Sequence, residues 1–339
     1  MISIGQIQSN PRLANLEWMR PKRIAKKEGK KPKLFSNGPK RCDVNQGMLG
    51  DCWFLATLAT LPSNPQLFDN VVPADLDIDM SKNSGIYRFK FWQYGEWVDV
   101  VIDDYIPTLD GRPCFLKSDT PNEFWPCMIE KAYAKLYGNY TYALDGGLVG
   151  SSMEDLTGGV AESYHDPRSP APFKVMLRAH QKGSLMGACI WGRRGQEREE
   201  ILKTGLASGH AYSITKVVEF EANGQKHQLI RVRNPWGNSV EWTGAWSDKS
   251  SEWEALSDAD KFKVGFRNRE DGEFFMTYED FNKVCFKIEI VYLFDTKILY
   301  FSSILMALTF VMSLVIPFVT RTLVGTKRKS MECGRKELP

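Results

Sequence analysis

The chain has 339 residues, of which 43% are hydrophobic and 25% are charged, and its formal net charge is +3. This is the composition of a globular protein with room for two domains, and so small a charge does not indicate a nucleic-acid partner. Seven scattered cysteines without a CxxC pair exclude a disulfide framework and a recognisable zinc motif. The opening segment MISIGQIQSNPRLANLEW lacks the basic and apolar regions of a signal peptide, which favours a cytoplasmic location.

Residues 1–34 are predicted to be a basic, partly disordered arm. The run PKRIAKKEGKKPK, residues 21–33, is punctuated by proline and glycine and has no apolar period. Such a run is typical of a solvated loop; a nuclear or acidic-membrane signal is the weaker alternative.

The next stretch, CDVNQGMLGDCWFLATLATLP, covers residues 42–62 and predicts a helix. Its apolar residues recur at helical spacing, and Pro62 ends the pattern. Asp51 stands at the N-cap position, so Cys52 lies on the first turn, where the helix dipole favours a thiolate. A free cysteine is often only a small buried hydrophobe. Gln46 and the glycines between the two residues argue for chemistry instead.

The segment GIYRFKFWQYGEWVDVVIDDYIP alternates on either side of Tyr94-Gly95, which predicts a β-hairpin. The following segment, PNEFWPCMIEKAYAKLYGNY, returns to helical spacing. The first half is therefore predicted to be mainly helical with a small sheet. The glycine pairs at 146–147 and 158–159 predict a hinge between the halves.

The second half is predicted to be antiparallel β-structure. HAYSITKVVEFEANGQKHQLIRVRNPW alternates around Asn223-Gly224, a strong hairpin signal. DGEFFMTYEDF adds a further strand and a short helix. The fold class predicted for the whole chain is α+β.

Residues 298–319, ILYFSSILMALTFVMSLVIPFV, form an apolar run without a charge that is long enough to span a bilayer. We predict a C-terminal membrane anchor with the rest of the chain on the cytosolic side. A buried hydrophobic remnant is the alternative, and the basic residues Arg321 and Lys327–Lys329 oppose this orientation under the positive-inside tendency.

A thiolate nucleophile needs a base, a group that orients the base, and donors for the oxyanion. His210 follows Ser208-Gly209 at the start of a predicted strand and is the best base, although it could be a structural histidine. Asn234, in RVRNPWG, could accept a hydrogen bond from the far ring nitrogen, although Asn-Pro is also a common turn. Gln46 could donate beside the backbone N–H of Cys52. The order Cys, His, Asn corresponds to the papain-type variant of triad chemistry.

Several motifs in this order resemble the protease core of the calpain family, the calcium-dependent cytosolic cysteine proteases. They are QGMLGDCWFLATLATLP, SGHAYSITKV, RNPWGNSVEWTGAWSD and REDGEFFMTYEDF, and the resemblance covers roughly residues 16 to 285. It implies a papain-like fold with a first lobe at 35–157, a second at 158–285, and an atypical tail at 286–339. It also implies that Cys52 is the nucleophile, His210 the general base and acid, Asn234 the orienter and Gln46 the oxyanion donor. Trp53 and Trp236 are assigned to the substrate cleft and its shielding.

The resemblance further implies one calcium ion in each lobe as the cofactor. The first site maps onto Asp43 and Glu123 with the carbonyls of Ser36 and Gly38. The second-lobe pattern maps onto four carboxylates and one carbonyl: Glu241, Asp248, Asp271, Glu273 and the carbonyl of Arg269. NPWGNSVEW carries one residue more than the usual spacing, which bears on Glu241.

An EF-hand cannot supply these ligands. If Gly272 were its loop glycine, Arg267, Arg269 and Tyr278 would hold positions one, three and twelve. An EF-hand small-subunit partner is therefore not expected.

The predicted function is that of a calcium-dependent cysteine endopeptidase that makes limited cuts in extended, flexible segments of protein substrates. In the family, calcium is thought to rotate the lobes until Cys52 and His210 come into register. The alternatives are a non-catalytic calpain-like binding protein and an inactive truncated isoform. The predicted location is cytoplasmic, with a membrane contact through residues 298–319.

Overall fold

The computed structural model describes residues 13–293, except 77, 83, 166–171 and 191–198. These residues belong to one compact unit of the chain, and the terms first lobe and second lobe refer to the two parts predicted from the sequence, which meet at residues 157 and 158. None of the helices in the described ranges combines the length and apolarity needed to cross a membrane. The apolar segment 298–319 and the rest of the tail beyond residue 293 lie outside the described residues, as do residues 1–12.

The first lobe is built around a buried helix, α2 (Cys52–Thr60), whose residues 53–60 are all buried. Because apolar or small residues surround it on every side, the helix can pack in the centre of a hydrophobic cluster. Its Thr57 hydroxyl lies 2.6 Å from the Ser152 hydroxyl of a neighbouring helix, which satisfies two buried polar groups. The helices up to the hinge are α1 (Pro21–Lys27), α2, α3 (Pro65–Val71), α4 (Trp125–Leu136), α5 (Tyr140–Leu144) and α6 (Val149–Thr157).

Short sheets complete this lobe. Strands β2 (Ile86–Gln93) and β3 (Glu96–Asp103) form the predicted hairpin. Tyr94 and Gly95 both have positive φ, 52° and 92°, as the tight hairpin turn with the correct twist requires. A second sheet joins β1 (Glu17–Met19), β4 (Ile106–Leu109) and β5 (Arg112–Pro113) in that order.

The second lobe contains a six-stranded antiparallel sheet, as its alternating sequence predicts. Asn223 and Gly224, with φ of 53° and 73°, make the turn of its longest hairpin. The strands in spatial order are β12 (Glu273–Thr277), β11 (Gln225–Arg233), β10 (His210–Ala222), β7 (Met186–Ile190), β13 (Cys285–Tyr292) and β6 (Val160–Tyr164). A two-stranded ribbon, β8 (Glu200–Ile201) with β9 (Ala207–Ser208), and helices α7 (Pro172–Gln181), α8 (Ser251–Glu254), α9 (Asp258–Val264) and α10 (Tyr278–Val284) complete the lobe.

Two segments differ from the sequence-based expectation. Residues 21–27 of the predicted arm form helix α1, because Pro21 suits the first helical turn and Ile24 and Ala25 are buried in the core. Strand β13 runs to Tyr292, past the boundary predicted at 285, and lies between β7 and β6. The folded part of the second lobe therefore includes residues 286–292.

Gly158 lies at the predicted hinge. It ends helix α6 with φ of 71°, a left-handed conformation that suits glycine, and the chain then enters β6.

Candidate active site

The first residue of helix α2 and the first residue of strand β10 meet at one site. The Ser213 hydroxyl on β10 donates a 2.7 Å hydrogen bond to the Ala56 carbonyl on α2, which fixes the two elements against each other. Cys52 Sγ and a ring nitrogen of His210 lie within 4.8 Å of each other, and a carboxylate oxygen of Glu199 is within the same distance of both. The structure thus brings together the nucleophile and base proposed from the sequence, with an acid beside both.

The His210 ring has an acceptor at each nitrogen. Nε2 lies 2.8 Å from Asn234 Oδ1, and Nδ1 lies 2.5 Å from Glu199 Oε1. Burial opposes a charge on the ring, but the bonds to Cys52 and Glu199 outweigh it and raise the pKa of His210 to about 10. The ring is therefore an imidazolium at neutral pH and donates from both nitrogens.

The Asn234 side chain is held from several directions. It is completely buried, and its Oδ1 also accepts a 3.0 Å hydrogen bond from the backbone N–H of Trp236. Its Nδ2 donates to the Val240 carbonyl at 3.2 Å, so oxygen and nitrogen are distinguished by their partners. The Trp236 ring lies over His210 with a centroid distance of 4.8 Å. The acceptor of the Nε2 hydrogen bond is therefore held in place, while the shielding role of Trp236 remains a prediction.

Sequence reasoning did not find Glu199. It lies in a polar run with other glutamates, EREE, in which no periodicity distinguishes one from the next. The ribbon β8–β9 selects it, because Glu200 pairs with Ser208 and the residue before Glu200 then comes beside His210. The feature of the sequence that could have indicated Glu199 is the short turn Lys203-Thr204-Gly205. Gly205 has a φ of 81°, and the turn sets the register of β8 with β9.

Gln46 and Trp53 have partners other than the expected ones. The Gln46 amide donates a 2.8 Å hydrogen bond to the Leu49 carbonyl, within the loop that leads to Cys52. The Trp53 indole N–H donates to the Leu144 carbonyl at 2.9 Å, and the side chain is 6% exposed within the first-lobe core. The oxyanion role of Gln46 and the cleft role of Trp53 remain predictions.

Two carboxyl groups are buried behind the nucleophile. Asp51 holds the N-cap position of α2, but its side chain makes no capping hydrogen bond. Its neighbour is Glu130 on α4, which accepts a 3.0 Å hydrogen bond from the Leu116 backbone N–H. Burial raises the pKa of Asp51 to about 7 and raises that of Glu130 well above its ordinary value, so the pair holds at least one proton at neutral pH.

The acids expected to hold calcium in the first lobe are also buried. Glu123 accepts hydrogen bonds from the Ser36 backbone N–H at 2.7 Å and from the Ser118 hydroxyl at 2.8 Å. Asp43 accepts a 2.7 Å hydrogen bond from the Lys40 backbone N–H. Burial, and then the charge of Glu123, raise the pKa of Asp43 to about 6. The Ser36 hydroxyl oxygen is buried without a partner among the described residues, and Gly38 follows at φ of 74°.

Three of the four second-lobe acids gather in the same way. Asp248 accepts a 3.0 Å hydrogen bond from the Arg269 backbone N–H, and Glu241 accepts one of 2.9 Å from Gly272. Burial raises the pKa of Glu241 to about 7 and that of Asp248 to about 6, and Asp271 adds to both rises. Like charges held together in this way suit a hard divalent cation. The oxygen ligands of both clusters are therefore of the type that such an ion takes, although no three carboxylates of either cluster lie within metal-ligand reach of one another among the described residues.

The fourth second-lobe acid, Glu273, differs. Its Oε1 lies 3.1 Å from Arg41 Nε and 3.4 Å from Arg231 Nε. Arg41 belongs to the first lobe, so this carboxylate joins the lobes instead of facing only the acidic cluster.

A second contact between the lobes runs beside Asn234. The buried Arg233 side chain donates to the Val44 carbonyl at 3.0 Å and to Asn45 Oδ1 at 3.3 Å. The Gln46 backbone N–H donates to the Pro235 carbonyl at 2.9 Å. The loop from Asp43 to Gln46 is therefore bound directly to the segment that carries the orienting asparagine.

The family model for calpain family cysteine proteases matches residues 1–292 of the chain. Calpain-B of Drosophila melanogaster is 45% identical over 279 residues, which are 81% of this chain and 29% of that protein. Human calpain-9 is 44% identical over 80% of this chain and 39% of its own length. The human calpain-2 catalytic subunit is 43% identical over 85% of this chain and 40% of its own length. The chain thus spans less than half the length of these relatives.

Proposed function

Because the chain belongs to the calpain family of cysteine proteases, we propose that it is a calcium-dependent cysteine endopeptidase with Cys52 as its nucleophile. The observation that supports this most strongly is the juxtaposition of Cys52 with a His210 ring whose other nitrogen is bonded to Asn234. A thiol, an imidazole and an orienting acceptor are the parts that acyl transfer through a thioester needs.

In the proposed first half-reaction the Cys52 thiolate attacks the scissile carbonyl carbon, and the electron pair of the C=O bond moves to oxygen. The backbone N–H of Cys52, on the first turn of α2, has no acceptor within the helix and is available to the oxyanion. The Gln46 amide can join it only by leaving the Leu49 carbonyl. The imidazolium then protonates the departing amine, the C–N bond breaks, and a thioester on Cys52 remains.

In the second half-reaction the neutral imidazole takes a proton from water, whose oxygen attacks the thioester. The C–S bond breaks, the acid product leaves, and the thiolate and imidazolium are restored. Asn234 keeps the ring in one plane throughout, because its Oδ1 stays bonded to Nε2. Glu199 has to move for either step, since its carboxylate occupies the side of the ring that faces Cys52.

We propose one calcium ion in each lobe. Asp43 and Glu123, with the carbonyls of Ser36 and Gly38, would hold the first; Glu241, Asp248 and Asp271, with the carbonyl of Arg269, would hold the second. Calcium would supply positive charge that lets these buried carboxylates ionise together. Glu273 is proposed to be shared between the second calcium site and an ion-pair network, because its carboxylate is already paired with Arg41 and Arg231.

Extended segments of other proteins are the proposed substrates, because a chain in extended form presents a backbone carbonyl to a nucleophile on the first turn of a helix. The cytoplasmic location remains a prediction.

The test is cleavage of a casein substrate by the full chain with excess calcium and with a calcium chelator. Cys52→Ser and His210→Ala should each abolish turnover while leaving the circular dichroism spectrum unchanged. Cys114→Ser is the matched control, because that buried thiol bonds to the Pro107 carbonyl, and a hydroxyl can do the same. Calcium-dependent turnover by the Cys52→Ser protein would contradict the assigned nucleophile. A wild-type chain that folds and binds calcium but never cleaves would favour the non-catalytic alternative.

A further inference from the structure

We infer that Cys52, Glu199 and His210 form a binding site for a zinc-type divalent cation at the candidate active site. The site offers one sulfur, one nitrogen and one oxygen ligand. All three atoms lie within 4.8 Å of one another, and no other such group of three occurs in the parts of the chain that the structure describes. The effect of a bound cation on activity rests on the proposed protease function, whereas binding of the cation does not.

The ligand set matches the chemistry of zinc. Zinc takes thiolate, imidazole and carboxylate ligands in tetrahedral geometry, and a site with three protein ligands leaves the fourth position for water. Metal–ligand bonds of this kind place neighbouring ligand atoms about 3.3 to 3.6 Å apart. The Cys52, Glu199 and His210 atoms lie within 4.8 Å of one another, so shifts of about 1 Å bring them to these separations.

Glu199 is the ligand that can move most easily. Glu199 Oε1 is 2.5 Å from His210 Nδ1, so the carboxylate must withdraw by about 1 Å to share a metal with that nitrogen. The Glu199 side chain is 28% exposed and can withdraw toward solvent, whereas the His210 side chain is wholly buried. Binding also releases the Nδ1 proton of His210 to solvent, because the metal needs the lone pair on that nitrogen.

The surroundings of His210 also fit a metal ligand. Metal-binding histidines usually donate their other ring N–H to an oxygen acceptor, which fixes the ring and makes it a better ligand. Asn234 Oδ1 is that acceptor at 2.8 Å from Nε2. The ring of Trp236 covers the imidazole and limits access of water. Cys52 is the first residue of α2, so its sulfur ligand is carried by a buried helix.

This site is separate from the two acidic clusters. Calcium prefers six to eight oxygen ligands, and the group of Cys52, Glu199 and His210 contains one carboxylate. The acidic clusters contain only oxygen ligands and do not attract a thiophilic ion to the same degree. Zinc would therefore occupy the candidate active site in the presence of calcium, and it would block the proposed nucleophile and base together.

Cobalt(II) is the probe, because it binds zinc sites and gives a charge-transfer band when a thiolate is a ligand. Titration of the full chain in excess calcium should show such a band with one equivalent, and zinc should displace it. Glu199→Gln should weaken cobalt binding by at least tenfold, because the amide is a much poorer ligand. Glu200→Gln is the matched control, with the same loss of charge on the neighbouring exposed residue, and it should bind cobalt like the wild type.

Absence of the band in wild-type protein, or equal affinity of the Glu199→Gln and wild-type proteins, would overturn the inference. A parallel casein assay separates it from the proposed function. A chain that cleaves casein but binds no cobalt retains the protease assignment and loses the metal site. A chain that binds cobalt through Cys52 and Glu199 but does not cleave retains the site and loses the protease assignment.

Discussion

The buried acids behind the nucleophile lead to a quantitative prediction for Asp51→Asn. Asp51 is completely buried and Glu130 is 1% exposed. Burial raises the pKa of Asp51 from 3.8 to about 7, while the bond from Glu130 opposes that rise. Burial also raises the pKa of Glu130 well above its ordinary value, so the folded pair retains a proton at pH values where the unfolded chain has lost it.

The sign follows from proton uptake. Between the ordinary pKa of Asp51 and its raised value in the folded protein, the native state binds a proton that the unfolded chain has lost. The free energy of unfolding therefore falls as pH rises through this window. A difference of about 3 pKa units corresponds to ~4 kcal/mol, of which about 3 kcal/mol lies between pH 5 and pH 8. Asp51→Asn removes the group responsible for this loss of stability. The free energy of unfolding of the variant, relative to that of the wild type, should therefore increase by about 3 kcal/mol between pH 5 and pH 8.

Urea unfolding of both proteins at pH 5 and pH 8, without calcium, measures how the free energy of unfolding of each protein changes with pH. Asp69→Asn is the control, because Asp69 is exposed on helix α3 of the same lobe; its stability relative to the wild type should stay constant within about 0.5 kcal/mol. If the wild type and Asp51→Asn lose stability equally between pH 5 and pH 8, Asp51 does not hold a proton in the folded protein and the reasoning is refuted.

Three further predictions concern the site and its supports. Asn234→Ala should lower kcat/KM roughly 100-fold in the casein assay, because His210 Nε2 loses its acceptor; an unchanged value would exclude an orienting role. Gly147→Ala should destabilise the chain by about 1–3 kcal/mol in thermal unfolding, because a Cβ there would lie 2.4 Å from the Trp53 ring; an unchanged melting temperature would show that the ring moves freely. Asp43→Ala and Asp271→Ala should each raise the calcium concentration for half-maximal cleavage about tenfold or more by removing a ligand; identical calcium titrations for both variants and the wild type would remove both sites.

Local features of the fold could be predicted from the sequence, because they depend on the residues of one short segment. Tyr94-Gly95 and Asn223-Gly224 adopt positive φ through their own chemistry, so each hairpin is confirmed without reference to distant residues. The helix that begins at Cys52 is likewise confirmed, because its apolar residues and the following Pro62 define it. The mixed helix and sheet of the calpain-like core follows from such elements in order.

Features that depend on distant contacts could not be predicted in this way. Helix α1 forms because Ile24 is buried by other parts of the first lobe, and the basic residues around it conceal this in the sequence. Glu199 comes beside His210 only through the register of β8 with β9. The raised pKa values of Asp51 and Glu130 require that the start of α2 is buried beside α4, which neither segment indicates alone.

The position of β13 has a consequence for the order in which the second lobe can assemble during synthesis. Tyr292, at its end, pairs with Val160, and Ile290 pairs with Met186, so β13 joins β6 to the rest of the sheet. Strands β7, β10, β11 and β12 can pair with one another as soon as they leave the ribosome, but β6 has no neighbour in this sheet except β13. A nascent chain must therefore keep one edge of β7 and the whole of β6 unpaired until residue 292 emerges. Such edges invite pairing with other chains, so β13, the last strand in the described part of the chain, is the one that protects the lobe from aggregation.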